Sequence, residues 1–424
     1  MQDTPDPLAP LRAAAAAREA AGLRRVLRPR SRPGPGPDAG RDGCDLASND
    51  YLGLAANPLV AEAAAAAARE WGAGATGSRL VTGSTELHAR LERALAAFCG
   101  AQAALVFSSG YLANLGAVTA LTAALSGPKR SPVLVLSDAA NHASLIDACR
   151  LARAGAGVRV EVIPHLDAAA ARAALARRTE PGALVVTESV FSVDGDLAPL
   201  AALHRAARAH GALLVVDEAH ALGVAGPGGR GAAHAAGLAA EPDVVRTVTL
   251  SKSLASQGGA VLGHAEVIAA LVDTARPFIF DTGLAPPCAG AALAALDMLT
   301  AEPGLGERTR ANALRIAHIA AGVGLDVSRP AAGVISVTLG SPAAATAAQR
   351  ACAEYGVRAG CFRPPSVPAG RACLRLAARA TLAERDFTAV ARALAAVAQQ
   401  TQQTRPPAPA DQAPRPAPAG RRAP

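Results

Sequence analysis

The chain has 424 residues, 51% of them hydrophobic but only 3% aromatic, which allows a large α/β core with a smaller companion, filled by Ala, Val and Leu rather than rings. Its net charge of +8 comes without a basic run interleaved with aromatics, which argues against a nucleic-acid surface, and no apolar run reaches the roughly 18 residues of a bilayer span. The seven cysteines are scattered without a CxxC pair, and no basic-then-apolar signal opens the chain, so a cytoplasmic protein with reduced thiols, no metal and no membrane contact is expected.

In chain order, the Ala-rich amphipathic stretch Pro7 to Leu27 predicts an N-terminal helix, and the Pro/Gly/Arg segment Pro29 to Gly43 an irregular linker. Together they make a leading unit over 1–45. A large α/β domain is expected over 46–287. There, β-rich apolar runs alternate with Ala-rich helical segments: Ala103 to Phe107, Val133 to Ser137, Val158 to Ile163, Ala183 to Thr187, Ala212 to Val216 and Val244 to Leu250. Such alternation implies right-handed crossovers and a mostly parallel sheet flanked by helices. Over 288–399 the pattern changes to a long helical region, a strand at Val334 to Leu339, a helix at Pro342 to Glu354, a strand near Ala372 to Leu376 and a final helix. That predicts a smaller C-terminal α+β domain. Residues 400–424, rich in Pro, Ala, Gln and Arg without periodicity, predict a disordered tail.

The segment Gly72 to Gly77 matches the GxGxxG dinucleotide fingerprint, but context argues against that use. The fingerprint needs a strand before it and a helix after it. Here an Ala-rich helix, Val60 to Trp71, comes first.

Chemistry concentrates elsewhere. Only Lys129 and Lys252 are lysines among the 42 basic residues, so any reaction needing a primary amine has two side chains to choose from. Lys129 sits in a Gly/Pro/Ser loop and fits a solvated role. Lys252 follows a buried-type strand, where desolvation would make it a competent nucleophile toward an aldehyde. The strand Ala212 to Val216 ends at Asp217, with His220 three residues on. A buried carboxylate needs a partner, and a protonated pyridine nitrogen is one; a helix-capping Asp and a core His are the plain alternatives. No third ligand stands at a spacing that would make a metal site of this pair. The run Ser108 to Leu112 leaves a strand and opens a helix, which suits an anion such as a phosphate, although Ser-Gly is also an ordinary turn. Thr249 adds a hydroxyl near the lysine. His142 follows the Val133 strand, placed either to stack on an aromatic ring or to sit on the surface.

Seven ordered motifs carry a resemblance: Ser48 to Leu54 (SNDYLGL), Gly72 to Arg79 (GAGATGSR), Ser109 to Asn114 (SGYLAN), Thr187 to Gly195 (TESVFSVDG), Val216 to His220 (VDEAH), Thr249 to Lys252 (TLSK) and Arg363 to Pro368 (RPPSVP). Over roughly Leu23 to Ala395 the chain resembles the α-oxoamine synthase family of fold-type I pyridoxal 5′-phosphate (PLP) transferases. The resemblance implies a mostly parallel seven-stranded sheet, PLP as cofactor and a homodimer with shared active sites. It implies Lys252 as the cofactor's lysine, Asp217 at the ring nitrogen, Ser192 and His220 in contact with the cofactor, His220 near its phenolic oxygen, and Gly110, Tyr111 and Thr249 at or near the phosphate. His142 would stack on the ring and meet substrate, Arg24 and Ser366 would contact substrate, and Arg375 would hold the amino-acid carboxylate. Lys252, His142 and Asp217 form the implied catalytic set.

Within the family, Ala21 to Arg25, Phe278 to Leu284 and Cys361 to Pro365 look most like members that join L-alanine to pimeloyl-CoA, or pimeloyl carrier protein, in biotin assembly. The alternatives are sister synthases using glycine or serine with other acyl-CoA donors, and an aminotransferase of the same fold. Family members often have Thr where this chain has Ala377, Gly where it has Ala221, and Thr where it has Ser366. None of these departures removes a group of the implied catalytic set.

Overall fold

Seven strands form the central sheet of the computed structural model, which describes residues 6–27, 29, 43–155 and 157–404. Along the chain the strands are β1 (Cys44–Asp45), β2 (Ala103–Phe107), β3 (Val133–Asp138), β4 (Val158–Ile163), β5 (Gly182–Glu188), β6 (Leu213–Asp217), β7 (Val244–Thr249), β8 (Gly259–Gly263), β9 (Val334–Gly340), β10 (Val357–Arg358), β11 (Gly360–Phe362) and β12 (Ala372–Ala377). The sheet runs β2-β8-β7-β6-β5-β3-β4. Only β8 opposes its neighbours, pairing antiparallel with both β2 and β7.

Helices cover both faces, so the inner strands are continuously apolar rather than alternating. Every residue of β3, β5 and β7 is buried, whereas edge strand β4 is mostly half-exposed. Successive side chains still take opposite faces. Leu134, Leu136, Val185 and Val216 fill one core layer, while Val135, Leu184, Val186 and Val215 fill the other. The six parallel strands therefore end on one edge. The first turns of the helices Gly110–Ser126 and Ala143–Arg153 gather at that edge, capped by the side chains of Ser109 and His142.

The C-terminal part is a three-stranded antiparallel sheet, β11-β12-β9, packed with the helices Leu305–Gly322, Pro342–Glu354 and Glu384–Thr404. Strand β1 pairs with β10 and Leu46 lies in this same core, which fastens the chain entering the main body to the C-terminal part.

The structure differs from the sequence expectations at several places. The N-terminal helix spans Ala9–Ala20 rather than Pro7 to Leu27, because Gly22 turns to φ +65° and Leu23 N–H closes onto the Arg18 carbonyl. The final helix continues through Thr404, so residues 400–404 form its last turn instead of a disordered tail. Ordinary helix formers extend it, and the Thr401 hydroxyl donates to the Val397 carbonyl. Most of the expected linker, and the tail from 405 to 424, lie outside the described residues. Strand β8 was not among the predicted runs. The segment Gly72 to Gly77 follows the helix Pro58–Trp71 and enters turns rather than a helix, in keeping with its rejection as a dinucleotide fingerprint.

Candidate active site

A cavity of about 250 Å³ opens at the common strand edge, and its lining includes Gly110, Tyr111, His142, Asp217, His220, Thr249 and Lys252. Seven residues singled out from the sequence thus meet around one space, drawn from four separate segments of chain.

Lys252 follows β7 through a tight turn in which Ser256 N–H donates to the Leu250 carbonyl. Burial, partly offset by Asp217, lowers its pKa from 10.5 to about 8. Among the described residues, its ammonium has no hydrogen-bond partner. An amine with this affinity is neutral often enough at pH 7 to 8 to attack a carbonyl carbon.

Asp217 ends β6 and is 5% exposed. Its Oδ1 accepts from Ala219 N at 2.8 Å and its Oδ2 from Asn114 Nδ2 at 2.7 Å. Asn114 does more than hold one carboxylate. Its second amide hydrogen goes to Ser144 Oγ at 2.8 Å, and its Oδ1 accepts from the Thr247 hydroxyl at 2.5 Å. Ser144 Oγ in turn meets His142 Nδ1 at 2.7 Å, and Ser144 N–H points to the same nitrogen. A nitrogen that accepts a backbone N–H carries no proton, so neutral His142 keeps its proton on Nε2. Burial lowers the His142 pKa and favours that neutral form.

His220 is fixed in the same way. Arg375 Nη2, which can only donate, lies 3.4 Å from its Nδ1, and Tyr51 Oη lies 2.6 Å from that atom. The Nδ1 therefore accepts, and the proton resides on Nε2. Burial, reinforced by Lys252 and Arg375, holds the His220 pKa well below 6.5.

At the cavity's far end, the helix Gly110–Ser126 begins with Ser109 as its cap. Leu112 N donates to Ser109 Oγ and Ala113 N to the Ser109 carbonyl, leaving the amides of Gly110 and Tyr111 for an anion. Packing here excludes larger residues. A Cβ on Gly110 would stand 3.1 Å from Thr249 Cβ, and one on Gly259 would stand 2.5 Å from the Gly110 backbone.

The remaining predicted residues are not in the cavity lining. Ser192 and Arg375 stand behind His220: Arg375, 3% exposed, donates from Nε to the Ser192 carbonyl at 2.6 Å and from Nη1 to Asn49 Oδ1 at 2.7 Å. Arg24 and Ser366 line a separate, larger and basic cavity with Arg25, Arg350 and Arg363, and Arg24 pairs with Glu19. Sequence reasoning missed Asn49, Tyr51, Asn114, Ser144 and Glu188 as individual site residues. Their signal was membership of the same short motifs, or adjacency to His142.

The chain matches the family model described as aminotransferase class I and II over residues 41–394. It is 58% identical to the 8-amino-7-oxononanoate synthase of Mycolicibacterium vanbaalenii over 92% of this chain and 97% of that protein. Among solved structures it resembles Sphingomonas wittichii serine palmitoyltransferase, with TM-score 0.83 and 30% identity over 94% of this chain and all of that one. It also resembles SPT solved with PLP, with TM-score 0.84 and 29% identity over the same shares. The donor set fits that cofactor. A buried amine of lowered pKa suits an aldehyde, a fixed buried carboxylate suits a ring nitrogen, and the glycine cradle with free amides suits a phosphate.

Proposed function

This chain belongs to the class I and II aminotransferase family of PLP enzymes, and from that premise we propose that it catalyses the 8-amino-7-oxononanoate synthase reaction of biotin biosynthesis. The substrates are L-alanine and pimeloyl-CoA or a pimeloyl carrier protein, joined with loss of CO₂ and release of the thiol. The observation that carries this is 58% identity to a relative of that name over 92% of the chain, combined with an amine of pKa about 8 set against the fixed Asp217 carboxylate.

Bound PLP supplies an electron sink for the charge left on the amino acid's Cα. Lys252 holds the cofactor through its amine and, when released, carries the Cα proton on Nζ. Asp217, fixed by Asn114 and the Ala219 amide, keeps its carboxylate against the ring nitrogen. The amides of Gly110 and Tyr111, with Thr249, bind the phosphate. His220 and His142 are neutral, and each presents an Nε2–H donor that orients the cofactor and the reacting carboxylate without adding positive charge. Arg375 binds the amino-acid carboxylate by exchanging its present partners, Asn49 and the Ser192 carbonyl, for that group. Arg24 and Ser366 contact substrate from the separate basic cavity.

Two copies make the working enzyme. Leu80, Val81 and Phe280 are each more than half exposed, on loops joined by the Ser78–Thr282 bridge beside the site, which suits a second subunit closing over it. A cytoplasmic setting agrees with buried reduced thiols at Cys44, Cys99, Cys149, Cys352 and Cys373. No helix of the described residues is long and apolar enough to cross a membrane.

The test is thiol release by the PLP-loaded protein with L-alanine, glycine or L-serine against pimeloyl-, acetyl-, succinyl- and palmitoyl-CoA. L-alanine with pimeloyl-CoA is expected to be fastest. A different best pair would overturn the substrate assignment while leaving the family intact.

A further inference from the structure

Glu188 ends β5 as Asp217 ends β6, and the two are register partners on adjacent parallel strands. Both line the cavity and both are buried, Glu188 at 1% exposure. Asp217 is provided for by Asn114 and Ala219, whereas Glu188 Oε1 is wholly buried with no hydrogen-bond partner among the described residues. The proposed reaction gives Glu188 no part, although a carboxyl at that position is costly to bury without one.

The order of the strands says which side of the cofactor this carboxyl faces. The phosphate cradle stands at the β7 and β8 side, formed by Thr249 and by Gly259 packed on Gly110. Asp217 stands at the end of β6, in the middle, and Glu188 at the end of β5, on the side opposite the cradle. On the pyridine ring of PLP, the phosphate arm and the phenolic oxygen lie on opposite sides of the line from the ring nitrogen to the aldehyde carbon. A ring placed with its nitrogen at Asp217 and its phosphate at Gly110 therefore turns its phenolic oxygen toward β5.

Resting on the reading of this cavity as the PLP site, we propose that Glu188 is a further cofactor-binding residue that stays protonated and donates a hydrogen bond to the phenolic oxygen of the bound cofactor. Its surroundings favour the neutral acid. Asp217 is its neighbour on β6, Lys252 on the turn after β7 is the near cation, Arg375 on β12 lies behind His220, His220 and Tyr51 are buried and neutral, and His142 is neutral at the more open side of the cavity. Two adjoining carboxyls sharing one amine do not both ionise. Burial first, and Asp217 second, raise the Glu188 pKa well above the usual carboxylate range, outweighing Lys252 and the backbone N–H groups of His142 and Ser192, which pull the other way. A donor at the phenolic oxygen withdraws negative charge from it, so the neighbouring nitrogen joined to Lys252 holds its own proton less tightly.

The experiment is a pH titration of the visible absorption of the cofactor-loaded protein, with PLP affinity measured alongside, for the unsubstituted chain, E188Q and E188A. Glutamine keeps a neutral donor, so E188Q is expected to titrate close to the unsubstituted protein. E188A is expected to raise the midpoint by about one pH unit and weaken PLP about tenfold, the size of one lost hydrogen bond to a charged group. An unmoved midpoint in E188A overturns the proposal. A midpoint in E188Q displaced by as much as one unit also overturns it, because the carboxyl would then act as an anion, and this outcome decides the matter even if E188A does not fold. If the unsubstituted protein takes up no PLP, the cofactor reading itself falls, and this inference with it.

Discussion

At the scale of single residues, the site depends on one amine and on the groups that hold its neighbours still. With Lys129 in an exposed loop, no other lysine can replace Lys252. Lys252→Ala is expected to remove covalent cofactor attachment and cut turnover by at least about a thousandfold, given the worth of a positioned base and covalent partner; single-turnover CO₂ release checks this. The direction of pH dependence also follows. The reactive form is the neutral amine, so the rate of PLP uptake by the cofactor-free protein should climb with pH and level off above about 8, as followed by stopped-flow absorbance. Asn114 ties Asp217, Ser144 and Thr247 together. Asn114→Ala leaves three buried groups short of a partner and is expected to cost about 1–3 kcal/mol of stability, with weaker PLP binding, measurable by urea unfolding and cofactor titration.

At the scale of elements, the cradle works because β8 begins with a residue that has no side chain. Gly259→Ala would drive a Cβ to 2.5 Å from the Gly110 backbone, so the first turn of the helix Gly110–Ser126 must shift and PLP affinity should fall about tenfold or more; equilibrium dialysis measures it. The loops at the same edge are clipped by His165, whose ring nitrogens reach Asp138 at 2.8 Å and Asp196 at 2.7 Å. These two carboxylates raise its pKa from 6.5 to about 10. A folded-state pKa above the unfolded one gives stability that is complete below about pH 6.5 and is lost as pH rises toward about 10. The stability gap between the unsubstituted protein and His165→Gln should therefore shrink over that range in denaturant titrations. Strands and crossovers were legible because five-residue and longer apolar runs between Ala-rich helices have few other uses. Strand β8 was not, since Gly259-Ala-Val-Leu-Gly263 is short and glycine-ended, and only its antiparallel neighbours β2 and β7 make it a strand. Strands β1 and β10 are two residues each, below what any periodicity can reveal. Lys252 was legible from lysine scarcity and its strand-end position. Asn114 and Glu188 were not singled out: an amide in a helix looks solvated until the opposing strands are in place, and Glu188, although at a strand end like Asp217, had no cofactor atom implied for it.

At the scale of the whole molecule, two halves share one purpose. The central sheet brings Asp217, Thr249 and Lys252 to one edge, while the C-terminal sheet delivers Arg375 from β12 to the back of His220. Leu80, Val81 and Phe280 are exposed beside that edge, and the proposed dimer would cover them. Phe280→Asp is expected to shift the protein from dimer toward monomer in sedimentation velocity and to lower PLP occupancy with it. The central claim is a decarboxylative condensation, and its most direct test follows carboxyl-labelled L-alanine and pimeloyl-CoA through the PLP-loaded enzyme, counting labelled CO₂ against free thiol. One CO₂ for each thiol is the predicted result; thiol release without CO₂, or amino-group transfer with no thiol released, would contradict the account.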